Sequence, residues 1–157
     1  MPDPLQPGDQ AGGRRFCLVA ARFNQAYVER LVAAATELLR RHGAAEADLE
    51  TVWVPGSLEL PLACRWAADS GRFDAILAFG VVLRGETEHF RLVADNAAHG
   101  LARVALDTGV PVLNGVLAAH HAGQVADRTG GLHGNRGAEV ALAAIRMAEL
   151  RRRLGAR

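Results

Sequence analysis

Lysine is absent from this 157-residue chain: all 18 basic side chains are arginine. No side chain can therefore form an internal aldimine with pyridoxal phosphate or an imine with a keto substrate. Any carbonyl–amine chemistry has to take its amine from a substrate. The same absence excludes a Walker A phosphate loop, and no GxGxxG follows a strand-like run. Cysteine is scarce. Cys17 and Cys64 sit in apolar surroundings without metal-type spacing, which suits packing in a reducing cytoplasm. No apolar run reaches transmembrane length and the first residues lack a signal-peptide core, so a cytoplasmic location is expected. A net charge of +1 removes the electrostatic case for nucleic acid or an anionic membrane as partner.

What is present is half hydrophobic, enough for one domain with a proper core. Residues 1–13 hold three prolines and three glycines and read as a flexible arm; residues 14–157 read as the single domain. Apolar runs at Phe16–Ala21, Leu49–Val54, Ala75–Leu83 and Val110–Leu117 predict four buried strands. Helical spacing predicts helices over Ala26–His42, Leu60–Ser70, Glu88–Thr108, Gly123–Arg128 and Asn135–Leu154. Strands that alternate with helices and read as continuous apolar runs define a parallel sheet covered on both faces. Right-handed crossovers then give a three-layer α/β/α sandwich with a four-stranded parallel sheet, flavodoxin-like. In such sheets the ligand sits beyond the carboxyl ends of the strands.

One strand end stands out: Gly80-Val-Val-Leu-Arg-Gly-Glu-Thr-Glu-His-Phe90. A buried strand that stops at Arg84-Gly85 and opens a helix offers free backbone N–H groups to an anion, most simply a phosphate. His89 lies within one turn of that start, and histidine is the side chain suited to moving protons near neutral pH. Together they point to an enzyme acting on a small phosphorylated substrate.

Other strand ends carry polar or aromatic residues. Phe23, beside Asn24, is either a loop aromatic or a platform for a flat heterocycle. Pro55-Gly-Ser-Leu-Glu59 is either a plain helix start capped by Ser57 or a set of N–H groups which, with Glu59, bonds a polyhydroxylated chain. Arg128 and Arg136 flank a glycine-rich loop and are either solvated or forks for phosphate or carbonyl oxygens. His42 suits a helix end. His120-His121 lacks a third ligand, and no metal is expected. Arg151-Arg152-Arg153 reads as a solvated helix end.

Five segments in order resemble the 6,7-dimethyl-8-ribityllumazine synthase family of riboflavin biosynthesis. They are ARFN at Ala21–Asn24, VPGSLELP at Val54–Pro61, GVVLRGETEHF at Gly80–Phe90, PVLNGVL at Pro111–Leu117 and DRTGGLHGNRGAE at Asp127–Glu139. The resemblance runs from about Phe16 to Leu150. It implies a transferase that condenses 5-amino-6-ribitylaminouracil with 3,4-dihydroxy-2-butanone 4-phosphate, the penultimate step of the route, without cofactor or metal. His89 would be the general acid/base. Phe23 would stack on the pyrimidine, with Asn24 beside it. Ser57, Leu58 and Glu59 would hold the ribityl chain, and the backbone of Val81, Val82 and Leu83 would meet the uracil edge. Gly85, Glu86 and Thr87 would cradle phosphate. Arg128 and Asn114 would come from a neighbouring subunit, and Arg136 would contact the pyrimidine or ribityl group.

Three positions depart from the family's usual pattern. Arg136 stands where lysine is usual, Asn114 where many members carry an aromatic, and Ala118-Ala-His-His121 where a Thr-Thr-acidic turn is usual. The resemblance also implies a homopentamer with shared sites, in some members assembled into an icosahedral capsid. The short, glycine-bearing turn between Arg128 and Arg136 favours the capsid, and the prolines of the arm argue mildly against it. Two other classes fit the sequence less well. A non-catalytic flavin or lumazine binder would not need His89 with Arg128. A receiver-type regulatory domain would need acidic residues after the first strand and a late lysine.

Overall fold

The computed structural model describes residues 9–85, 89–131 and 134–155. The expectations placed on Glu86, Thr87, Glu88, His133 and residues 1–8 lie outside the described residues. The chain begins with β1 (Phe16–Ala21), α1 (Gln25–Arg41) and β2 (Leu49–Val54), then α2 (Leu60–Asp69) and β3 (Ala75–Leu83). There follow α3 (His89–Thr108), β4 (Val112–Ala119), α4 (Ala122–Arg128), a short hairpin β5 (Thr129–Gly131) and β6 (Gly134–Asn135), and α5 (Arg136–Arg153).

The main sheet is parallel throughout, in the order β2-β1-β3-β4. Alternate residues of β1 and β3 point to opposite faces, as the period of a strand dictates. Phe16, Leu18, Ala20, Leu77 and Phe79 pack on Val28, Leu31 and Leu39 of α1 and Val140, Ala144 and Ile145 of α5. On the other face Cys17, Val19, Ile76 and Ala78 pack on Leu60 and Cys64 of α2 and Leu101 of α3. Helices α1 and α5 thus cover one face and α2 and α3 the other, which is the expected three-layer sandwich. Phe16, Phe79, Leu18 and Leu77 have no exposed surface, and each such side chain contributes about 1.5–3 kcal/mol of burial.

Close backbone approach sets the spacing of α1 and α5. A Cβ at Gly137 would overlap the Leu31 carbonyl, so only glycine allows this contact. The two thiols face the second core. Burial, with the Glu50 carboxylate nearby, pushes Cys17 up to about 12, and burial also pushes Cys64 up. Both are free thiols, and both stay protonated at neutral pH.

Three local differences from the sequence reading have physical causes. Strand β4 runs over Val112–Ala119 rather than 110–117. Proline has no N–H to give a ladder, so Pro111 serves only as an acceptor, its carbonyl taking Ile76 N–H at 2.8 Å. At the far end Arg84 N–H bonds the Ala119 carbonyl at 2.9 Å and extends the pairing. The glycine-rich turn holds a two-stranded hairpin, with Thr129 opposite Asn135. Strand β2 lies at an edge, with Glu50, Thr51 and Val52 exposed, rather than covered on both faces.

The described end of the N-terminal segment is tied down. Ala11 is buried and donates to the His42 carbonyl at 2.8 Å, and Asp9 pairs with Arg146 at 3.0 Å. That pairing holds the Asp9 carboxyl below the ordinary carboxylate range. His42 caps α1 and its Nδ1–H donates to the Leu38 carbonyl at 2.8 Å.

Candidate active site

The chain leaves β1 toward β2 on one side and later returns to β3 on the other, so the strand order reverses between β1 and β3. A crevice at the carboxyl ends follows from that reversal. A cleft of about 360 Å³ occupies it. Three segments supply its walls.

The first loop follows β1. Arg22 N–H bonds the Val54 carbonyl at 2.8 Å and Phe23 N–H bonds the Pro55 carbonyl at 3.2 Å, so the loop is laced to the end of β2. Asn24 then takes a left-handed conformation, φ 60 and ψ 39, the only described non-glycine residue to do so. Asparagine tolerates this region well. Its carbonyl accepts the first N–H groups of α1 from Tyr27 and Val28, and its carboxamide donates to the Val81 carbonyl at 2.8 Å. The turn leaves Phe23 73% exposed where it lines the cleft, a large apolar face open to a ligand.

The second loop is Pro55–Glu59. Gly56 is extended and a 3₁₀ turn over Ser57–Glu59 leads into α2. Ser57 is only 5% exposed, and its hydroxyl lies against the backbone of Gly80, where a Cβ would overlap it. Gly56 rather than Ser57 stands at the N-cap of this turn, and Glu59 at that of α2, so the plain capping role does not explain Ser57. Leu58 and Glu59 face outward along the same wall.

The third wall is the end of β3 with the start of α3. Val81, Val82, Leu83 and Gly85 line the cleft, and so does His89. His89 is exposed within the protomer. Phe90 and Val93 also line the cleft; the sequence reading did not single them out. A signal existed for Val93, since it stands four residues after His89 and shares its helix face. Phe90 had no such signal, because its place depends on His120, whose ring meets it edge-on with centroids 5.8 Å apart.

The structure thus gathers Phe23, Ser57, Leu58, Glu59, Val81, Val82, Leu83, Gly85 and His89 around one cleft. Asn24 stands behind this wall, on the Val81 carbonyl. Three candidates do not join it. Asn114 lies exposed on β4, its Oδ1 accepting from Val116 N–H at 2.9 Å. Arg128 lines a second cavity of about 260 Å³ beyond β4. Arg136 is exposed and pairs with Glu139 at 2.9 Å. His121 caps α4, its Nδ1 accepting from Gln124 N–H at 3.3 Å. No helix among the described residues is long and apolar enough to cross a membrane.

A doubly wound parallel sheet with a switch-point cleft, lined by an aromatic face, backbone polar groups and a histidine, defines a small-molecule enzyme of the α/β class. Residues 13–152 match the family described as 6,7-dimethyl-8-ribityllumazine synthase. The chain is also 49% identical over 142 residues to the 6,7-dimethyl-8-ribityllumazine synthase of Halorhodospira halophila (strain DSM 244 / SL1), an alignment covering 90% of this chain and 91% of the relative. The chain therefore belongs to the 6,7-dimethyl-8-ribityllumazine synthase family, transferases of riboflavin biosynthesis.

Proposed function

We propose that this chain condenses 5-amino-6-ribitylaminouracil with 3,4-dihydroxy-2-butanone 4-phosphate, giving 6,7-dimethyl-8-ribityllumazine, phosphate and water, the penultimate step of riboflavin biosynthesis in the cytoplasm. The observation that carries the reading is the single cleft where Phe23, the Ser57–Glu59 turn, the end of β3 and His89 meet. The exposed Phe23 face suits a pyrimidine. Backbone N–H and C=O groups of Val81, Val82 and Leu83 suit its polar edge, with Asn24 fixing the strand end. Ser57, Leu58 and Glu59 suit a ribityl chain. Gly85, with Glu86 and Thr87 of the segment outside the described residues, is the phosphate seat of this reading.

The substrate amine attacks the ketone and one water leaves as the imine forms; phosphate is then eliminated, and the second ring closes on the remaining carbonyl with loss of a second water. The absence of lysine fits this course, because the amine belongs to the substrate. His89, at the cleft wall, transfers protons in these steps. No cofactor enters the reading. Asn114, Arg128 and Arg136 lie outside the cleft of their own protomer, which supports a homo-oligomer whose neighbouring subunit brings them to it. A single domain over residues 14–157 carries all of these parts.

A steady-state assay with both purified substrates tests the reading. Formation of the lumazine chromophore and of inorganic phosphate in equal amounts is the expected result. Binding of ribitylaminouracil without phosphate release would overturn it.

A further inference from the structure

The second cavity, about 260 Å³, is closed on its apolar side by Val116–Ala119 and Val125. Its polar lining is His120, Gln124 and Arg128. Gln124 organises the other two. Its Oε1 accepts from His120 N–H at 2.7 Å, and its backbone carbonyl accepts from Arg128 Nη1 at 3.2 Å. With Oε1 engaged, the amide presents its NH₂, a donor. Arginine only donates, and imidazole offers one N–H when neutral and two when protonated. No carboxylate is among the described lining residues. The described side chains His120, Gln124 and Arg128 therefore bring N–H donors to one hollow, groups that an oxyanion needs. The His120 ring also meets the Phe90 ring edge-on, at an interplanar angle of 63°.

We propose that His120 is a further anion-binding residue, sharing a phosphate monoester with Arg128. The proposal rests on the reading of Arg128 as a phosphate ligand given above, and it adds a second, imidazole donor to that ligand set. Arg128 supplies permanent charge and a planar fork, and His120 supplies an imidazole N–H beside it.

The test compares the assembled full-length protein with His120→Phe, His120→Asn and Arg128→Ala. His120→Phe keeps an aromatic ring against Phe90 and removes the donor; His120→Asn keeps a donor. The first readout is the dissociation constant for inorganic phosphate by calorimetry at near-neutral pH. The second is the KM for each of the two substrates. His120→Phe is expected to weaken phosphate binding and raise the KM for the phosphorylated ketone, each by about 10- to 100-fold, as for a lost hydrogen bond to a charged group. The KM for ribitylaminouracil should hold, and His120→Asn should recover part of the loss.

Equal phosphate affinity in wild type and His120→Phe, with weakening in Arg128→Ala, would overturn the proposal and leave His120 as packing for Phe90. Unchanged affinity in both variants, or no phosphate binding by the wild type, would overturn it together with the reading of Arg128. Weakened phosphate binding in His120→Phe, in a protein that fails to turn over the two substrates, would support the anion seat while removing the proposed reaction.

Discussion

The Asn24 carboxamide donates to the Val81 carbonyl at 2.8 Å, and so ties the turn after β1 to the strand end that lines the cleft. The same residue holds the left-handed conformation that turns the chain into α1. One side chain thus serves both the entry to a helix and the wall of a site.

Two substitutions separate these duties. Asn24→Gly keeps the left-handed backbone and deletes the bond, which should cost about 1 kcal/mol. Asn24→Asp also tolerates the conformation but sets a carboxylate against a carbonyl. It is expected to cost about 1–3 kcal/mol and to raise the KM for the pyrimidine substrate more than the glycine variant does. Chemical denaturation with steady-state kinetics checks this. Equal behaviour of the aspartate variant and the wild type would show that the bond contributes nothing.

His89→Ala is expected to lower turnover by about 10²- to 10⁴-fold, the usual contribution of a positioned proton-transfer group. Its KM values should change less, because the aromatic and backbone walls of the cleft remain. Unaltered turnover in a correctly folded variant would remove His89 from the reaction.

Arg14, just before β1, pairs with Glu149 of α5 in a part-buried contact across the molecule. The bond from Arg14 holds the Glu149 carboxyl below the ordinary carboxylate range, against the opposing effect of burial, with further help from the charges of Arg14, Arg152 and Arg153. A carboxylate favoured in the folded state stabilises at neutral pH, and that contribution fades as pH falls through its folded value. Glu149→Gln should therefore destabilise by about 1–2 kcal/mol near neutrality, and the difference should narrow near pH ~3. Urea midpoints at the two pH values measure it. A difference independent of pH would assign the effect to packing rather than charge.

Seven residues, 129–135, separate α4 from α5, and Thr129 pairs with Asn135 across them. A short connection of this kind is expected to accompany a closed, hollow capsid built from pentamers rather than a free pentamer. Light scattering at neutral pH and moderate salt reads the outcome. A single pentamer-sized species, unchanged on concentration, would exclude the capsid and leave the shared site untouched.

Sequence by itself determined the layered α/β architecture. Continuous apolar runs such as Phe16–Ala21 and Ala75–Leu83 read as strands buried on both faces, and the spacing within Gln25–Arg41 and Arg136–Arg153 reads as helices. Glycine after a strand marked the turn at Gly85, and the lack of lysine restricted the chemistry. Tertiary structure decided what lies next to what. That Ser57 rests on Gly80, that Asn24 reaches Val81, and that Phe90 meets His120 are contacts between distant segments, and no local pattern encodes them. It also decided that Arg128 lines a cavity apart from His89. The reason is physical: hydrophobic periodicity fixes which face of each element is buried, whereas strand order and register fix which loop ends converge, and these emerge only when the layers pack.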